Sequence, residues 1–309
     1  ILDTQASLFG GGKSHTCATC SHEQVVDAIK MIRYNPVDPG DMWDIAVQTG
    51  RAMALITLTS DFGWVDAYVG VMKGVILSIA PSARLVDLSH DVPPQNIEAA
   101  AYLLSSAAAY FPRATVHLAV VDPGVGSARR PLLVTTAHAS FIGPDNGLFS
   151  FALDEPDAQA WVLDRPAWWL PHPGNTFHGR DIFAPVAAHR ANGTPPSELG
   201  SPIGDAVRLA PRAPEQTPDG AILGHIVHLD HFGNLISNIP AEWLGGGCWQ
   251  CEIAGQRIEG PRATYADVQP GQPVLLVSSS GTAEIAVREG HAARQLGIRV
   301  GAQVRLSMC

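Results

Sequence analysis

The stretch Thr115-Val116-His117-Leu118-Ala119-Val120-Val121-Asp122-Pro123-Gly124-Val125-Gly126-Ser127-Ala128-Arg129 decides how this chain folds. Residues 115–121 are apolar apart from Thr115 and His117, the composition of a central strand covered on both faces. The run stops on an acid, a proline and two glycines. Proline fixes φ and glycine permits positive φ, so residues 122–126 read as a tight turn. Arg129 can fold back across that turn towards Asp122. A guanidinium there keeps the carboxylate ionised and fixes its direction.

Outward from this strand the pattern alternates. Strands are expected over 55–59 and 84–88, and helices over 67–79 and 96–110, each helix stopped by a following proline. Further strands follow over 132–136 and 140–143, then a helix over 181–190 closed by Asn192-Gly193. This order implies an α/β, Rossmann-like domain with a parallel sheet over residues 53–193. Residues 194–219 are proline-rich and read as a linker. Residues 220–309 then read as a small all-β barrel or sandwich, with strands over 221–229, 235–239, 251–254, 273–277, 283–287 and 303–306. Residues 1–52 differ in texture, with Gly10-Gly11-Gly12 and a breaker from Pro36 to Gly40, before Met53 opens the first clean strand. An appended segment, an upstream mis-start and a small accessory element all remain open for them.

The 309 residues suffice for two domains, and 46% hydrophobic with 16% charged residues is ordinary for a compact chain. A net charge of −9 without any Lys/Arg cluster argues against a nucleic-acid groove. No apolar run reaches the roughly 20 residues of a membrane helix, and the N-terminus lacks signal-peptide character. A cytoplasmic location is therefore expected. Cys17 and Cys20, flanked by His15 and His22, form one C-x-x-C; Cys248 and Cys251 form another. Tetrahedral zinc takes such ligands, but solvated or buried thiols are the expected state.

Ligands of open α/β sheets bind beyond the carboxyl ends of the strands. Asp61, Asp87 and Asp122 all fall there. One such acid is by itself a cap or turn former. Several on one rim repel unless cations sit among them. A second stretch, Thr176-Phe177-His178-Gly179-Arg180-Asp181, sets an imidazole just before a helix. Pro144-Asp145-Asn146-Gly147 is read as a turn. No His-x-x-x-His pair, phosphate loop or nucleophile elbow is present. An acid, a guanidinium and an imidazole at strand and helix ends form a set for activating water, which favours an enzyme over a binding module.

The same motifs, with Thr59-Ser60-Asp61-Phe62-Gly63, Asp230-His231-Phe232-Gly233-Asn234 and Ser279-Ser280-Gly281, resemble the S-adenosylmethionine hydroxide adenosyltransferases, which are related to fluorinase and chlorinase. The resemblance spans about residues 53–307. It implies an α/β domain followed by a β-barrel, and a homotrimer with substrate held between one subunit's first domain and a neighbour's second. The implied reaction is hydrolysis of S-adenosylmethionine to adenosine and L-methionine, with Asp122, Arg129 and His178 matching the polar triad that prepares the water. Methionine leaves a sulfonium as a neutral thioether, so no metal or cofactor is expected. Asp61 matches the residue that grips the ribose hydroxyls, and Asp230 the partner of the methionine ammonium. Phe232 and Asn234 match ring packing and a base-edge hydrogen bond. Ser279 matches a serine near the methionine end, and Glu284 to Val287 a strand whose backbone approaches adenine.

Two departures stand out. Ser278-Ser279-Ser280-Gly281 replaces the Asn-Ser-aromatic-Gly of many relatives, and Asn238 follows Ser237 where threonine is usual. Halogenating relatives carry Tyr-Ser where this chain has His178-Gly179, so a halide-using 5′-halo-5′-deoxyadenosine synthase is the nearest alternative. A binding protein that senses adenosine or S-adenosylmethionine without turnover is another, but all three triad positions have candidates here.

Overall fold

The computed structural model describes residues 54–210 and 212–309. The Cys17/Cys20 pair, with His15 and His22, lies outside the described residues, as do all of residues 1–53 that open the chain.

The first half runs β1 (Leu55–Ser60), α1 (Tyr68–Ile79), β2 (Arg84–Ser89), α2 (Ile97–Ala108), β3 (Thr115–Val120), β4 (Pro131–Thr135), β5 (Ala139–Pro144), α3 (Ser150–Leu153), β6 (Gln159–Val162), a π-helical turn (Gly179–Phe183), α4 (Ala184–Ala191), α5 (Pro196–Leu199) and β7 (Ser201–Ile203). Its sheet has the order β2-β1-β3-β5-β4-β6-β7. β2, β1, β3 and β5 are parallel, whereas β4, β6 and β7 join antiparallel. The expected parallel strands thus form one side of the sheet, and three strands added antiparallel make it mixed. The short link from β4 to β5, residues 136–138, leaves room only for a hairpin, since a parallel return needs a crossover of a dozen or more residues.

β3 lies wholly buried at the centre. Val116, Leu118 and Val120 face one core with Met72 and Ile76 of α1 and Val186 of α4. Ala119 and Val121 face the other, with Leu104 of α2, Phe141 and Phe149. This is the period of two that a strand imposes. His117 is tolerated inside because Nδ1 lies 2.8 Å from Thr57 Oγ1 and the ring stacks on Phe141. Burial pulls its pKa down to about 4, so it stays neutral.

The proline-rich stretch is not linker throughout. Residues 196–203 supply α5 and the edge strand β7, which pairs with β6. Proline suits both places, the first turn of a helix and a sheet edge.

The second half contains β8 (Glu215–Gln216), β9 (Ile222–Leu229), β10 (Leu235–Pro240), β11 (Trp249–Ile253), β12 (Gln256–Gly260), β13 (Pro273–Val277), β14 (Thr282–Val287), α6 (Ala292–Gln295) and β15 (Gln303–Met308). Seven of these strands form an antiparallel path, β12-β11-β15-β9-β10-β14-β13, with β8 pairing β9. Arg262 N donates to Leu275 O at 2.8 Å and draws the two ends together, giving a nearly closed barrel. The strand β12 escapes the hydrophobic pattern because Gln256, Arg257 and Glu259 face solvent. Its hairpin is made by Ala254 and Gly255, both at positive φ, as the tightest two-residue turns require.

Cys248 does not pair with Cys251 as a metal-binding C-x-x-C. It forms a disulfide with Cys309, while Cys251 is a buried free thiol whose pKa burial pushes up to about 12. The pairing follows the register: β11 and β15 run antiparallel, so the residue before Trp249 meets the one after Met308. Among the described residues no cluster of His, Cys, Asp or Glu is arranged to hold a metal ion.

Candidate active site

The tight turn after β3 forms as its residue types require. Val125 N donates to Asp122 O, and Ser127 N and Oγ both donate to Gly124 O. Gly126 sits at φ 76° against the Asn175 carbonyl, where an added Cβ would come within 2.5 Å of that oxygen. Glycine is needed there on both counts. The turn returns Arg129 onto Asp122, with Nε 3.2 Å from Oδ1 and Nη2 2.5 Å from Oδ2. Both side chains are nearly buried, at 7% and 5% exposure.

His178 joins the same guanidinium, its Nδ1 lying 3.0 Å from Arg129 Nη2. A guanidinium only donates, so Nδ1 is the acceptor and the neutral ring carries its proton on Nε2. Burial and the Arg129 charge hold His178 below its ordinary pKa, against Asp122 and Asp181. Arg129 Nη1 is buried and has no hydrogen-bond partner among the described residues. A buried donor of this kind is costly unless something accepts from it. The three residues thus converge, with one directed donor left over.

The rest of the second stretch is scaffold. Asp181 is held by Arg180 Nε at 2.6 Å and by Gly174 N at 2.9 Å, which fixes the π-helical turn behind His178. Asn146, part of the segment read as a turn, donates through Nδ2 to Val121 O at 2.9 Å, anchoring the residue before Asp122. Nothing in the turn signature distinguishes that role. Asp61 follows β1 on the same rim, with Oδ2 accepting from Gln95 N at 2.8 Å.

The remaining candidates meet elsewhere. Asp230, Phe232, Asn234, Ser279, Glu284 and Val287 all line one cavity of about 940 Å³ on the barrel. Asp230 is fixed by Asn234, whose N and Nδ2 donate to its two oxygens at 2.8 Å each. Gly233, at φ 85°, packs on the His291 ring where a Cβ would clash, and so permits this turn. Glu284 is buried and accepts from Tyr265 Oη at 2.7 Å; burial raises its pKa. Tyr265 lines the cavity and carries no motif that would have singled it out. Tyr102 of α2 also reaches this cavity, stacked on His228 at 4.4 Å. The hydroxyls of Ser278 and Ser280 are linked at 2.8 Å in the departing serine run. Asp61, Asp122, Arg129 and His178 are absent from this lining.

Residues 56–200 match the SAM hydroxide adenosyltransferase N-terminal domain and residues 224–305 its C-terminal domain. The chain is 43% identical over 264 residues to the (R)-S-adenosyl-L-methionine hydrolase of Thermus thermophilus, covering 82% of this chain and 100% of that protein. It belongs to the SAM hydroxide adenosyltransferase family. The same fold is seen in the crystal structure of an uncharacterized conserved protein from Thermotoga maritima, at TM-score 0.77 and 32% identity, over 81% of this chain and 99% of that one. A fluorinase of Actinoplanes sp. is more distant, 27% identical over 290 residues, covering 82% of this chain and 97% of that protein. The Asp122 cluster thus belongs to the first family domain, and the barrel cavity is lined mainly by the second, with Tyr102 and Ser106 contributed by the first.

Proposed function

We propose that the protein hydrolyses S-adenosyl-L-methionine to adenosine and L-methionine by in-line attack of water on the ribose C5′. The Asp122–Arg129–His178 cluster carries this reading, above all the unpartnered Nη1 of Arg129. A water or hydroxide oxygen that accepts from Nη1 lies beside Asp122, whose oxygens keep lone pairs free to take its proton. His178 cannot accept at Nδ1 while Arg129 donates there, so its Nε2–H orients the oxygen and the ring steadies the guanidinium. As the C5′–S bond breaks, methionine takes the electron pair and leaves unaided as a neutral thioether. Catalysis is then positioning and charge, in which held near-attack geometry is worth up to roughly 7–11 kcal/mol.

Asp61 grips the ribose hydroxyls, Asp230 the methionine ammonium, Phe232 and Asn234 the base, and Ser279 the methionine end. These sets meet when the barrel of one subunit covers the α/β rim of the next in a homotrimer. Phe232, 72% exposed on the cavity wall, supports such a cover. No described helix is long and apolar enough to cross a membrane. The reading places the protein in the cytoplasm, with no nucleic-acid partner and no cofactor.

The test is incubation with S-adenosylmethionine in ¹⁸O-water. The expected products are methionine and adenosine labelled at the 5′ oxygen. A chloride-dependent 5′-chloro product would establish halide use instead, and absence of any product a binding protein.

A further inference from the structure

Asp87, at the rim beside Asp61, is fully engaged. Lys73 Nζ on α1 donates to Oδ2 at 2.6 Å and His90 Nε2 to Oδ1 at 3.0 Å. Burial opposes ionisation, yet the hydrogen bonds from Lys73 and His90 hold the Asp87 carboxyl below its ordinary pKa. With Nε2–H given to Asp87, His90 Nδ1 is left to accept from the Ser60 hydroxyl, 2.7 Å away. Ser60 Oγ accepts in turn from Phe62 N at 3.3 Å, and the His90 carbonyl accepts from Gly63 N at 2.8 Å. Trp64 packs its edge on the His90 ring, with Lys73 over its face. Four groups from α1, the end of β2 and the end of β1 thus clamp the residues on both sides of Asp61.

The order Asp, His, Ser also occurs in nucleophilic triads. Ser60 and His90 are 0% and 1% exposed, however, and the Ser60 hydroxyl is committed on both sides. A nucleophile must reach its substrate. This serine cannot.

We propose that Lys73, Asp87, His90 and Ser60 form a positioning chain that aims the Asp61 carboxylate at the ribose hydroxyls of the substrate. The inference rests on the role given to Asp61 above. Asp61 spends Oδ2 on Gln95 N, so its grip depends on where the backbone sets Oδ1. Ser60 and His90 touch no substrate and act through that backbone.

The test compares binding of adenosine and 2′-deoxyadenosine to the full chain by calorimetry, for the wild type, Ser60→Ala and His90→Gln. Ser60→Ala removes one oxygen and adds no bulk, so it serves even if His90→Gln fails to fold, which thermal melting will show. The wild type is expected to bind the deoxynucleoside roughly tenfold or more weakly, the worth of a hydrogen bond to a charged group. In the variants adenosine binding should fall by a similar factor, and the deoxy penalty should shrink to less than about threefold. Variants that lose stability but keep the full wild-type penalty would overturn the proposal, as would a wild type indifferent to the hydroxyl. Hydrolysis of S-adenosylmethionine is assayed in parallel. If the penalty behaves as expected but no adenosine is formed, the positioning chain stands and the hydrolase reading fails.

Discussion

Asp122→Ala is expected to lower kcat by roughly 10² to 10⁴-fold, the range for a positioned proton-transfer group, and His178→Ala by roughly 10² to 10³-fold, the range for one preorganised hydrogen-bond donor, both with little change in substrate affinity. Equal loss of affinity with unchanged turnover would sink the water-preparing role. The pH profile carries a sign. His178 accepts from Arg129 only when neutral, and its pKa lies below the ordinary 6.5 through burial and the Arg129 charge. Turnover per bound substrate should therefore hold above pH 6.5 and fall on the acid side, at a pH below 6.5. His178→Ala should remove that limb, which stopped-flow or steady-state profiles will read. The Asp122–Arg129 pair was legible because a turn with a fixed residue count returns Arg129 to Asp122, whereas His178, 49 residues away from Arg129, was joined to them only through the family resemblance. Asn146, Tyr265 and His90 were not, since each acts through a backbone or a partner far away in sequence.

At the scale of elements, β3 carries the first domain, and its alternating faces serve two cores. Leu118→Ala should cost about 2–5 kcal/mol, measured by denaturant unfolding, because a fully buried leucine leaves a cavity that its neighbours cannot close. His117 makes a separate prediction. Its pKa is about 4 when folded against 6.5 for the free side chain. Above pH 6.5 both states are neutral and the group contributes nothing. Below it the unfolded chain binds the proton first, so stability falls towards pH 4, by up to ~1.4 kcal/mol per pH unit. His117→Gln should flatten that slope. A lone histidine in an apolar run reveals its strand but not its neighbours. The direction of β4 was similarly hidden, since hydrophobic alternation marks a strand without stating its direction, and the short strands β6 and β7 went unmarked altogether.

The whole molecule poses the question of assembly. The Asp122 cluster lies on the α/β rim and the Asp230 cluster lines the barrel cavity, and the proposed trimer would join them across a subunit interface. Asp122→Ala and Asp230→Ala proteins, each inactive, should regain activity when unfolded and refolded together. In a head-to-tail ring of randomly mixed subunits about a quarter of the interfaces would carry both wild-type residues. No recovery would place both halves of the site in one subunit, and light scattering should report a trimer. The sequence by itself determined the two-domain order, the strand at 115–121, the Asp122 turn and the residue types of both half-sites. The first three follow from local chemistry, namely periodicity, proline and glycine dihedrals, and short covalent spacing; the barrel half-site followed from the family resemblance. Only the tertiary structure decided the mixed direction of the sheet, the Cys248–Cys309 pairing, the tautomer of His178 and the clamp behind Asp61. Each depends on groups brought together from distant parts of the chain, and sequence spacing does not encode that proximity.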